Sequence, residues 1–79
     1  MADVIVAGAV RTPIGKFGGM LAELTAAELG ASAVRETLRR TGIRPEQVDE
    51  IVMGNARQAG GGPNPARQIA YRAGLPVTV

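Results

Sequence analysis

The sequence contains no cysteine, no histidine and no tryptophan, and one phenylalanine and one tyrosine are its only aromatic residues among 79. Without cysteine there is neither a disulfide nor a thiolate, and without histidine the usual imidazole base and the commonest zinc ligand are both missing. Cysteine or Ser/His nucleophilic chemistry and the usual zinc sites are therefore excluded from these residues, and any hard chemistry must come from elsewhere. The scarcity of bulky side chains has a second consequence. A chain this short buries only about 60 to 65% of the surface its unfolded form exposes, and no staple or metal offsets so small a core. Long apolar runs are absent as well: Val4 to Val10 follows Asp3 without a basic stretch and is far too short to cross a bilayer. The expectation is a soluble, cytoplasmic protein with no membrane partner.

What is present has a globular balance, with 46% hydrophobic and 20% charged residues. The net charge of +2 is unevenly spread, because residues 1 to 50 hold six basic and seven acidic side chains whereas 51 to 79 hold Arg57, Arg67 and Arg72 with no acid. Such a basic third suits an acidic surface, a phosphate or a nucleic acid. No Lys/Arg cluster and no interleaved aromatics accompany it, so nucleic acid is not expected, and the arginines read as solvated or interface residues.

Along the chain, Asp3 to Val10 is a continuous apolar run of the kind that suits a strand buried on both faces of a parallel sheet. The following RTPIGKFGGML is punctuated by Pro13, Gly15, Gly18 and Gly19 and reads as loop. Thr25 and Glu28 have capping-box spacing, with Leu24 and Leu29 placed as a hydrophobic staple, and they predict a helix over Ala26 to Thr41 closed by Gly42. On that helix Leu29, Ala33, Ala26, Thr37, Gly30, Val34 and Leu38 share one arc, opposite Glu28, Ser32, Arg35 and Arg39. Glu36 and Arg40 form an i,i+4 pair. Pro45 to Val48 predicts a single helical turn and Glu50 to Met53 a short strand. Asn64 as N-cap and Pro65 at N1 open a second helix that ends before Gly74, and Val77 to Val79 reads as the start of a third strand.

The resulting order, βαβαβ, predicts an α/β unit with a parallel sheet and right-handed crossovers. Strands added in one direction would put both helices on one face. Because an all-parallel sheet needs both faces covered, the chain is read as one piece of a larger body.

Two nucleotide-binding patterns fail. Gly15-Lys16 lacks the glycine five positions earlier, where Val10 stands, and the Ser/Thr after lysine, where Phe17 stands. Gly8 to Val10 lacks the second glycine of a dinucleotide turn, and no helix opens there. Arg11 and Lys16 are read as hydrogen-bonded to loop carbonyls in preference to binding an anion. The segment GGGPNPARQ is the most distinctive, since a glycine run leads straight into a capped helix N-terminus. An anion site is one reading of it; the preferred reading is close subunit contact, with Arg67 and Gln68 hydrogen-bonding across it.

Taken together, VIVAGAVRTPIGKFGG, ELTAAELGASAVRETLRRTGIRPEQVDEIVMGN and QAGGGPNPARQIAYRAGLP resemble the start of a thiolase, of the acetyl-CoA acetyltransferase branch, across all 79 residues and in order. The resemblance implies that residues 1–79 are the first part of a thiolase-fold N-terminal domain, incomplete as given. It also implies a homodimer or homotetramer with the Gln58 to Gln68 segment toward the subunit interface, which makes Gln58, Asn64, Arg67 and Gln68 the interface candidates, and a Claisen condensation of two acetyl-CoA or the reverse cleavage of a 3-ketoacyl-CoA. In such enzymes a cysteine accepts the acyl group while a second cysteine and a histidine manage protons. The nucleophile follows the third strand, so none of that catalytic set falls on a position present here. No catalytic, metal or cofactor-binding residue is therefore expected in the chain. Coenzyme A thioester is expected only as the whole enzyme's substrate, with the remainder of the thiolase chain as partner. The alternative is a free-standing non-enzymatic module that pairs through an uncovered sheet face.

Overall fold

A computed structural model describes residues 3–55 and 60–79. Helix α1 spans Ala26–Thr41, a single 3-10 turn spans Pro45–Gln47, and helix α2 spans Pro65–Arg72. The two helices pack on one another, and no other pair of elements packs comparably among the described residues.

Local chemistry explains both helices. At the start of α1 the Glu28 amide donates to Thr25 Oγ1 at 3.1 Å, and the Thr25 amide donates back to Glu28 Oε1 at 3.4 Å, which satisfies two of the amides a helix start leaves orphaned. At its end Gly42 takes φ 73° and donates its amide to the Leu38 carbonyl at 3.0 Å, the single-bond left-handed cap. Helix α2 begins on Asn64, whose Oδ1 accepts from the Arg67 amide at 3.2 Å. It ends in a Schellman motif, where Leu75 N donates to Ala70 O at 3.0 Å and Gly74 N to Tyr71 O at 3.2 Å. Leu75 is thereby folded back and buried.

The core is correspondingly small: Ala27, Ala31, Ile69, Ala70, Ala73 and Leu75. The buried face of α1 is turned from the expected arc by about one residue's 100° step, toward Ala27 and Ala31 and away from Leu29 and Ala33. Ile69 decides this. It lies over Gly30, where an added Cβ would meet its Cδ1 and would stand 2.8 Å from its Cγ1. The smallest stretch of α1 is the one that admits α2.

The βαβαβ reading is overturned, because the described residues contain no strand and no sheet. Val4 to Val6 stands in solvent, with Val4 95%, Ile5 80% and Val6 101% exposed. Gly8 breaks the run with φ 74°, a left-handed conformation no strand residue holds. That bend brings it against the end of α1, where an added Cβ would lie 2.6 Å from Thr41 Cγ2 and 3.2 Å from Thr37 Cγ2. Glu50 to Met53 is also without ladder pairing, and Val77 to Val79 turns, with the Val79 amide donating to the Pro76 carbonyl at 3.1 Å. Apolar runs become strands only against neighbours that accept and donate in register. The described residues bring none of the three runs into register with another. No helix among the described residues is long and apolar enough to cross a membrane.

Candidate functional site

Two regions concentrate polar side chains. The first surrounds the start of α2. Asn64 sits at φ 37°, a left-handed conformation that asparagine tolerates better than most residues, and from there its side chain caps the helix. Gln68, one turn on, donates its Nε2 to the Gly61 carbonyl at 3.0 Å and to the Pro63 carbonyl at 2.8 Å. It thereby holds the glycine run against the helix it feeds. Gly62, at φ 93°, has this amide so close that an added Cβ would stand 2.9 Å from it. Arg67 points the other way and donates to the carbonyl of Val79. Asn64, Ala66 and Arg67 line a shallow depression of about 180 Å³ with Glu50, Ile51 and Val79. Three of the four interface candidates are thus brought together, and their side chains bond backbone of this same chain. The fourth, Gln58, lies outside the described residues.

The second region is an open cleft of about 550 Å³ between the loop before α1 and the two helices. Leu21, Leu24 and Leu29 form its apolar wall, and Glu28, Arg35 and Arg72 bring charge to it. Leu24 and Leu29, expected as a staple, line this cleft. Arg35 donates from Nη1 to the Arg72 carbonyl at 3.0 Å, placing a cation at the C-terminal end of α2 where the helix dipole favours it. Periodicity assigned Arg35 to the face opposite the core and gave no hint of a partner 37 residues away. Arg11 donates to the adjacent Thr12 carbonyl at 3.2 Å, a loop contact of the kind expected for it.

Electrostatics among the described residues are strongest away from both regions. Glu36 receives Arg39 through two bonds of 2.7 and 2.6 Å and Arg40 through one of 2.6 Å. The hydrogen bonds from Arg39 and then Arg40 hold its carboxyl down from 4.5 to about 2, and the same carboxylate raises Arg39. This is a surface cluster on α1. No group of acidic residues placed to hold a metal ion occurs among the described residues.

The geometry is thus that of a capped helix pair with polar side chains committed to backbone, and the sequence offers neither thiol nor imidazole. Against known proteins, residues 4–79 match the family model for the thiolase N-terminal domain. The chain belongs to the thiolase family. An acetyl-CoA acetyltransferase of Cupriavidus necator is 53% identical over 79 residues, covering 100% of this chain and 20% of that protein. One of Chromobacterium violaceum is 50% identical over 76 residues, covering 96% and 19%. A probable acetyl-CoA acyltransferase of Staphylococcus aureus is 47% identical over 79 residues, covering 100% and 20%. This thiolase chain therefore spans about a fifth of the length of those relatives. The resemblance read from RTPIGKFGG, VDEIVMGN and NPARQ is borne out over the whole sequence.

Proposed function

We propose that this chain is the N-terminal segment of an acetyl-CoA acetyltransferase that condenses two acetyl-CoA to acetoacetyl-CoA or cleaves a 3-ketoacyl-CoA, and that its own part in that enzyme is structural. The observation that carries this is end-to-end identity of about half to proteins named as acetyl-CoA acetyltransferases, in a sequence holding no cysteine and no histidine. Acyl transfer from a thioester needs a nucleophile whose adduct is itself reactive, and a base to activate it. With neither thiol nor imidazole in the sequence, the acyl-carrying cysteine and the proton-handling histidine of such an enzyme are not supplied by this segment. It contributes the capped helix pair and the loops against which the rest of the enzyme packs. Asn64, Arg67 and Gln68 belong to a contact between subunits of a homodimer or homotetramer; the support is that all three side chains are fixed by bonds to backbone, Gln68 to the glycine-rich approach, Asn64 to the start of α2 and Arg67 to Val79.

The test is coenzyme A release from acetyl-CoA, and from acetoacetyl-CoA plus coenzyme A, by the isolated 79-residue chain and by a chain of the relatives' full length. Turnover is expected only from the longer protein. Activity of the short chain above buffer that survives repurification overturns the structural assignment.

A further inference from the structure

We draw no further inference here: the strongest candidate, the open cleft between the loop before α1 and the two helices where Arg35 and Arg72 stand beside Leu21, Leu24 and Leu29, carries nothing because nothing in the structure shows what covers it.

Discussion

Gly30 faces Ile69 across the helix pair with no room for a side chain, and the two set a sharp expectation. Glycine inside a helix costs about 1 kcal/mol relative to alanine, so Gly30→Ala would stabilise α1 if the helix stood alone. Here the new methyl would press on Cδ1 and Cγ1 of Ile69, which is itself only 4% exposed and has little room to move. Overpacking a filled contact costs typically about 1 to 3 kcal/mol, so the crowding outweighs the propensity. In the full-length protein Gly30→Ala should lower the urea midpoint, and adding Ile69→Val, which removes Cδ1 but keeps Cγ1, should recover part of the loss. A single variant that is more stable than the parent would show that the helices are not held this close. Arg67 is the other residue on which a proposal turns. Arg67→Ala should weaken the oligomer by about 1 to 3 kcal/mol if a buried partner is left unpaired, with activity per intact oligomer little changed. Sedimentation and steady-state kinetics on one sample decide it: an intact oligomer with a raised KM for the thioester would favour an anion site instead.

At the scale of elements, α1 carries its own pH dependence. The folded-state pKa of Glu36 lies below its ordinary 4.5, at about 2, so the stabilisation it lends α1 is complete above the ordinary value and is lost as pH falls through about 2. Helicity at 222 nm should fall over that acid window, more gently in high salt because the pairs are at the surface. Glu36→Gln should flatten this part of the profile; identical acid profiles for parent and variant would remove the Arg39–Glu36–Arg40 cluster as its source. The helices were legible in the sequence because their signals are local: Thr25 and Glu28 are three residues apart, and so are the Asn64 side chain and the amide it caps. The expected strands are not found among the described residues, because an apolar run such as Val4 to Val6 needs covering without specifying the neighbour that would pair with it. The direction of α1's buried face lay between these cases. Periodicity located Gly30, which meets Ile69, but gave no sign that Ala27 and Ala31 would be the buried residues of α1. The candidate site divides in the same way. Asn64 as a cap is written in its own tetrapeptide, whereas Gln68 reaching back to Gly61 and Pro63, Arg67 reaching Val79, and Arg35 reaching Arg72 depend on where separate segments come to rest.

For the molecule as a whole, exposed area is the telling quantity. A compact protein of this mass exposes about 4,500 Å², whereas this chain exposes 6415 Å². Its radius of gyration is 13.7 Å, against roughly 11.6 Å for a compact domain of 79 residues. The excess includes Val4, Ile5, Val6, Ile14, Phe17, Met20 and Val52, all at least four-fifths exposed, which adds apolar surface of the kind that drives association. Four of the six core residues are alanines, and a helix of eight residues such as α2 does not persist in water without packing. The isolated chain should therefore lose helicity gradually on heating, without a sigmoidal transition, and should sediment as concentration-dependent oligomers. In a chain of the relatives' full length the same residues should be protected, with amides of α1 and α2 exchanging only through global opening. Hydrogen exchange on both proteins separates this from a free-standing module. A sharp, cooperative transition of a 79-residue monomer, with core amides as protected as in the longer chain, would mean that Ala27, Ala31, Ile69 and their neighbours suffice by themselves. The exposed apolar runs would then need a partner other than the rest of a thiolase.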